Sequence, residues 1–343
     1  MDRGAVASMP GNFDVVPIEI PPPGADEVVV RIEACGVCHS DLHVLETGWA
    51  HRFPVLLGHE AAGVVEEVGS SVEQLKTGDR VILAWRSPCG RCSACRRGEP
   101  RRCRRPATAE SRPSLTDGTE LSLMLGLGTL ATRAVVHQSA AITYPPELPP
   151  AEACLIGCCV ATGTGSVLET AHLAPETRVA VIGCGAVGLS VVQGARLAGA
   201  KEIYAVDLDE GRAGAAGHFG ATASGWEEGL DAVFDVVGTP ETFAAGIAAL
   251  GSGGTYVLIG LPRPQTSAVV ELAGLFDRRL TLLVSHGGDH LPREDFPRLA
   301  EKALSGDLDL GGLVTKQVTL DDLDAALSDM RTGRVVRSVV TSF

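Results

Sequence analysis

At 343 residues the chain exceeds what one hydrophobic core ordinarily organises, and a hydrophobic share of 45% is enough for two cores, so two domains are expected. No apolar run reads as long enough to span a bilayer, and a net charge of −13 excludes general affinity for nucleic acid, so neither partner is expected. Met1-Asp2-Arg3-Gly4 carries no basic stretch followed by an apolar one, and ten cysteines are too sparse for a disulfide scaffold, so a reducing cytoplasm is the expected location.

In chain order, the first half reads as short strands broken by Gly and Pro. Val28–Ile32, Ala61–Val68 and Arg80–Trp85 are β-rich runs bounded by turn signals such as Pro22-Pro23-Gly24 and Thr77-Gly78-Asp79. A cysteine-rich lobe follows, then the proline-rich stretch Tyr144–Pro150. Beyond residue 160, Arg178–Ile182, Glu202–Val206, Ala232–Val237 and Thr255–Gly260 are buried-strand runs alternating with helical stretches, the pattern of a doubly wound parallel sheet. Arg293–Leu304 and Leu320–Arg331 read as helices, and Val335–Val340 as a closing strand.

The lobe places Cys89, Cys92, Cys95 and Cys103 within fifteen residues, interleaved with Gly90, Ser93 and Gly98. Four thiolates at this spacing can wrap one tetrahedral zinc, and a site closed by four cysteines is structural. Disulfides are the competing reading, and the absence of any export signal argues against them. The arginines of the Arg96–Arg105 stretch are expected to offset the thiolate charge and face solvent.

Gly183-Cys184-Gly185-Ala186-Val187-Gly188 follows the strand Arg178–Ile182 and opens a helix, and Asp207 stands nineteen residues after Gly188, closing the next strand. This is the dinucleotide fingerprint in its proper context: Gly183 for the tight turn, Gly185 for close approach of the pyrophosphate, Gly188 for packing helix on strand. The helix N-terminus faces the phosphates with unsatisfied N–H groups. Asp207 can accept from the ribose hydroxyls and repels a 2′-phosphate, with Arg212 further along to flank adenine or ribose, so NAD is expected over NADP.

Three further segments share a chemistry: Gly36-Val37-Cys38-His39-Ser40-Asp41-Leu42-His43, Gly58-His59-Glu60 and Gly157-Cys158-Cys159-Val160-Ala161-Thr162-Gly163. With the lobe and the Asp207 fold they resemble the zinc-dependent alcohol dehydrogenases of the medium-chain dehydrogenase/reductase family, from about residue 10 to the C-terminus. The resemblance implies an α/β fold, with a Rossmann sheet (161–285) binding NAD and an irregular, mainly β, GroES-like catalytic domain (1–160 and 286–343). It implies two Zn²⁺ per subunit, the catalytic one on Cys38, His59 and Cys158 with a fourth position open. Cys159 stands where the family usually has glycine, and Cys35, Cys154 and Cys184 read as packing residues.

By the same resemblance Asp41 receives the second N–H of His59, and Glu60 lies behind the zinc, assisting ligand exchange or paired with an arginine. Ser40 takes the hydroxyl proton of the alcohol and His43 releases it to solvent. His39 and Arg337 match pyrophosphate residues, Thr162 and Val187 flank the nicotinamide, and the backbone around Ile259 and His286-Gly287 meets the carboxamide. Trp49 and Trp85 fall where the family lines its substrate channel, although core packing is an equal reading.

Two departures stand out. Only Ala223–Asp231 connects Thr222 to the strand at Ala232, so that crossover is expected to lack its helix. Fifty-five positions separate Cys103 from Cys158, a length that resembles the dimeric branch of the family and implies a homodimer joined by edge strands. The function implied is NAD-linked, reversible oxidation of an alcohol to an aldehyde or ketone. The alternatives are a biosynthetic reductase of an iminium or conjugated carbonyl, a dehydrogenase of thiol–formaldehyde adducts, and a nucleotide sensor without turnover.

Overall fold

The valine run at residues 28–30 falls in the first half of a ten-residue strand, Glu27–Gly36, buried along almost its whole length. It is sandwiched between antiparallel neighbours Ala61–Val68 and Arg133–His137, so both its faces and its backbone groups are satisfied within the protein. The computed structural model describes residues 1–49 and 51–343. The chain divides into two units, Met1–Cys158 with Leu291–Phe343, and Cys159–His290.

The first unit contains a five-stranded and a seven-stranded sheet, mostly antiparallel. Its main core gathers Val28, Val30, Leu57, Leu83, Leu130 and Val340, and Trp49 and Trp85 pack partly buried against it. The closing strand starts two residues later than expected, at Arg337–Ser342, and pairs Val339 with Gly36 and Val340 with Cys35. That register brings Arg337 beside the turn where Glu27–Gly36 gives way to the helix His39–Thr47. Helix Pro292–Leu304 matches its expected span to within one residue, and a 3-10 turn at Leu320–Asp322 leads into helix Leu323–Arg331.

The second unit is a six-stranded parallel sheet: β1 Arg178–Ile182, β2 Glu202–Val206, β3 Ala223–Ser224, β4 Leu230–Asp235, β5 Leu250–Leu258 and β6 Thr281–Val284. Its spatial order, 3-2-1-4-5-6, reverses between β1 and β4, the topology in which ligands bind outside the carboxyl ends of the strands. Ala180, Ile182, Val233 and Tyr256 form the core of one face, with Phe243 and Ile247 packed on it.

The two-residue strand β3 carried no readable signal, and residues 225–229 pass to β4 without a helix, as the short crossover led us to expect. Arg178 supports that crossover. Its backbone N–H donates to Asp231 (2.8 Å), and its guanidinium lies 2.8 Å from Glu202 and 3.8 Å from Glu227.

One expectation needs correction. The segment Pro150–Thr170, 21 residues with a mean hydropathy of 1.5, is long and apolar enough to cross a membrane by length and composition. Its most apolar window is 78% buried inside the protein, so its apolarity serves the interior. Pro149 and Pro150 start it, and α-helical turns alternate with π-helical ones at Ile156–Val160 and Ser166–Thr170.

Candidate active site and metal centres

Cys38 follows the end of the central strand and caps the helix His39–Thr47. His59 follows Gly58, whose left-handed φ of +92° and lack of a Cβ let the chain pass Leu130, where an added Cβ would fall 2.2 Å from the backbone nitrogen. Cys158 sits in the first π-helical stretch, a widened turn common at functional sites. These separate elements bring one donor atom each from Cys38, His59 and Cys158 within 4.8 Å of one another, with 6, 0 and 7% of each residue exposed. Cys158 Sγ lies 3.4 Å from His59 Nε2. Tetrahedral zinc bonds of about 2.0–2.3 Å put neighbouring ligands roughly 3.3–3.8 Å apart, so the trio suits that ion. Cys159 is buried outside the cluster.

The electrostatics favour a cation. A hydrogen bond with Cys158, helped by Arg337 and His59, holds the Cys38 thiol well below its ordinary value against the opposing effect of burial. Burial opposes a charged His59, yet Cys38, Asp41 and Glu60 outweigh it and raise its pKa to about 9. A bound divalent ion takes over the proton's role, because a ligating imidazole must be neutral. Asp41, its pKa pushed up to about 6 mainly by burial, accepts the backbone N–H groups of Cys38 (2.9 Å) and Gly58 (3.0 Å) and lies 3.8 Å from His59 Nδ1. It therefore fixes the two segments that carry Cys38 and His59, a reach that the sequence did not reveal.

Glu60 is fully buried beside Gly36, where an added Cβ would meet its carboxylate at 2.1 Å. Arg337, which the resemblance puts on a pyrophosphate, is 3% exposed, 3.4 Å from Glu60, and donates to the Val37 carbonyl at 2.6 Å. Ser40 is half-buried, its Oγ 3.8 Å from Cys38 Sγ. His43 stacks edge-on against Trp49 with ring centroids 5.5 Å apart. His39 is exposed at the start of its helix.

In the lobe, Cys89, Cys92, Cys95 and Cys103 form a second cluster. The Sγ separations of Cys92–Cys95, Cys92–Cys103 and Cys89–Cys103 are 3.5, 3.8 and 3.6 Å. These approach the edge of a zinc tetrathiolate, about 3.8 Å for 2.3 Å bonds. Backbone N–H donation holds Cys92 down to about 6, while desolvation and the neighbouring thiols push Cys95 up to about 12. Four sulfurs this close can all be anionic only with a cation among them. Most of the local arginines face solvent; Arg101 instead pairs with Asp295 at 3.0 Å and ties the lobe to helix Pro292–Leu304.

The glycine turn of the second unit has the expected backbone. Gly183 has φ +94°, and Gly185 caps the helix Ala186–Leu197. An added Cβ at Gly185 would meet no protein atom within 4 Å, so bare backbone faces outward at the helix N-terminus. At Gly188 a Cβ would fall 1.7 Å from the Gly183 carbonyl, so its smallness serves the turn itself more than the strand beneath. Asp207 accepts from the backbone of Cys184 (2.8 Å) and Asp209 (2.9 Å). Arg212, in the first turn of helix Glu210–Ala215, folds back to 2.8 Å from Asp207. Its Nε is buried without a hydrogen-bond partner, an orphaned donor that fits a polar ligand there. Val187 and Thr162 are half-buried.

Comparison with known proteins gives concordant matches. Residues 24–146 match the alcohol dehydrogenase GroES-like domain, and residues 223–305 match the zinc-binding dehydrogenases. The chain is 34% identical, over an alignment 367 positions long, to an S-(hydroxymethyl)glutathione dehydrogenase of Escherichia coli, covering 98% of this chain and 99% of the relative. Among solved structures it is similar to an alcohol dehydrogenase zinc-binding domain protein from Burkholderia ambifaria, with a TM-score of 0.93, 31% identity, and 100% and 99% of the two chains covered. It is also similar to benzyl alcohol dehydrogenase from Acinetobacter calcoaceticus, with a TM-score of 0.92, 27% identity and full coverage of both chains.

Proposed function

The chain belongs to the zinc-dependent alcohol dehydrogenases of the medium-chain dehydrogenase/reductase family and is a zinc-dependent oxidoreductase of alcohols; from that premise we propose that it is NAD-linked, holds two zinc ions per subunit, and interconverts an alcohol with its aldehyde or ketone. The observation that carries this reading is the buried trio Cys38, His59 and Cys158, a donor set of three that leaves a position for substrate. When bound, zinc polarises an alcohol or carbonyl oxygen and the nicotinamide accepts or returns the hydride.

The chain's own residues hold, orient and move protons. Asp41 fixes the Cys38 and Gly58 turns and faces His59. Ser40, beside Cys38, takes the hydroxyl proton, and His43 passes it outward. Glu60 lies behind the metal ligands, and its ion pair with Arg337 supports a bracing role for both. Gly183, Gly185 and Gly188 admit the pyrophosphate, and Asp207 with Arg212 engages the adenosine ribose. Thr162 and Val187 flank the nicotinamide. The lobe holds the structural zinc on Cys89, Cys92, Cys95 and Cys103.

We assign zinc chemistry to residues 1–160 with 286–343, and dinucleotide binding to 161–285. A homodimer joined at β6 is supported by Val284, 70% exposed on that edge strand, and Phe276, 83% exposed on the helix Leu272–Arg278 that precedes it. Ten free cysteines support a cytoplasmic location.

The experiment is the rate of NADH loss across aliphatic, allylic and aromatic aldehydes, with NADPH in parallel. Turnover with NADH is the expected result. Silence on every aldehyde from zinc-loaded protein would shift the assignment to a biosynthetic reductase of an iminium or conjugated carbonyl.

A further inference from the structure

Within the second unit a chain of small polar side chains joins two segments that no motif connects. Ser166 Oγ lies 2.6 Å from the Thr162 carbonyl oxygen and 2.8 Å from Ser285 Oγ. Thr170 Oγ1 lies 2.8 Å from the same Ser285 hydroxyl and donates to Asp289 Oδ2, also at 2.8 Å. Ser166 and Ser285 are buried, and each hydroxyl has one proton to give, so the chain satisfies itself from the Thr162 carbonyl to the Asp289 carboxylate. Ser166 and Thr170 bound the second π-helical stretch, whose widened turn presents both hydroxyls to Ser285.

The segment they hold is unusual. Gly287, Gly288 and Asp289 are three consecutive residues with φ of +65°, +74° and +48°. Glycine adopts this region freely, but aspartate does so at a cost, and such strain persists where the surroundings fix it. Here the fixing contact is the Thr170–Asp289 hydrogen bond. The backbones also touch. A Cβ on Gly288 would fall 2.1 Å from the Ala161 carbonyl and 2.9 Å from Thr162 Cα, and one on Gly165 would fall 2.3 Å from the Gly288 carbonyl. The strained turn is thus pressed onto the helical turn that carries Thr162. It also follows β6, at the carboxyl end of the parallel sheet, where this topology binds its ligand.

We infer that Ser166, Ser285, Thr170 and Asp289 are positioning residues for the nicotinamide half of the dinucleotide: they lock the backbone of 286–288 against the Thr162 turn so that both present one preformed surface to the ring and its carboxamide. This inference rests on the dinucleotide reading given above. It separates the two halves of the cofactor, because the glycine turn and Asp207 hold the phosphates and adenosine without any member of this chain.

The test is binding, independent of turnover. NADH is titrated by its fluorescence and ADP-ribose, which lacks the nicotinamide, by calorimetry, on the wild type and on Thr170→Val, Thr170→Ser and Ser285→Ala. Thr170→Val should weaken NADH about tenfold, the loss of one hydrogen bond to a charged group, while ADP-ribose stays within about twofold. Thr170→Ser, which keeps the hydroxyl, should restore NADH binding, and Ser285→Ala gives the same separation should Thr170→Val fold poorly. Equal losses for both ligands, or unchanged NADH binding in folded Thr170→Val and Ser285→Ala, overturn the inference. A wild type that binds ADP-ribose but not NADH overturns it too, and a wild type that binds neither overturns the dinucleotide reading beneath it.

Discussion

Cys89, Cys92, Cys95 and Cys103 come from fifteen consecutive residues and three of them are partly exposed; Cys38, His59 and Cys158 come from three elements spread over 120 positions and are all buried. The first cluster is a loop with little core of its own, so an ion would hold the loop together. The second sits among Val37, Leu57, Gly58 and the buried pair Glu60 and Arg337, so the protein holds the site and the ion adds chemistry. On the proposed reading similar ligands serve opposite purposes, and the direction of support between metal and fold distinguishes them.

That contrast can be broken by substitution. Cys38→Ser should lower turnover by at least about a thousandfold, some 4 kcal/mol at 1.4 kcal/mol per decade, with one zinc lost per chain and little change in thermal unfolding. Full activity in that variant would remove the catalytic-zinc assignment. Cys92→Ser should do the reverse, lowering the unfolding midpoint by on the order of 5–10 °C, or ~2–4 kcal/mol, while the folded protein keeps its turnover. Were Cys92→Ser inactive at an unchanged midpoint, the contrast between structural and catalytic clusters would fail.

Asp41→Asn sharpens the comparison. Asp41 touches the Cys38 and Gly58 backbones and faces His59, so its loss should weaken zinc at the buried site about 10–100-fold in chelator competition. Zinc in the lobe should be unaffected.

The smallest effect lies away from both clusters. Arg133 hydrogen-bonds Asp2 and holds its carboxyl below the ordinary 3.8. A depressed carboxylate stabilises the fold above its unfolded pKa, and that contribution is lost as pH falls through the folded value. Asp2→Asn should thus cost up to about 1 kcal/mol at pH 7 and progressively less as pH falls below 3.8, read from denaturant unfolding across that range. A cost independent of pH would assign the effect to packing.

The strands Ala61–Val68, Arg178–Ile182 and Glu202–Val206 were legible to the residue, because each is an apolar run ended by a turn signal. Strand Leu250–Leu258 begins five residues before its expected start, because Leu250 pairs with Leu230 of β4 across a bulge that holds Gly251, Gly253 and Gly254, residues without strand propensity. Ala223–Ser224 was invisible for the same reason: two residues hold no period, and their pairing with Tyr204 and Ala205 defines them. In the site, the direct contact of Arg212 with Asp207 was not legible, because sequence separation does not report how a helical turn folds back.

What the sequence by itself determined is whatever a short stretch of chain encodes: four cysteines at zinc spacing, a glycine turn between strand and helix, a crossover too short for a helix. Backbone geometry and side-chain size act there over a few residues, so composition and spacing suffice. The tertiary structure alone decided what depends on distant segments meeting. It set Arg337 on Glu60 rather than in the open, Asp41 across two segments, and Ser285 between Ser166 and Thr170. Burial fixes these contacts, because a polar group removed from water must find its partner wherever the folded chain provides one.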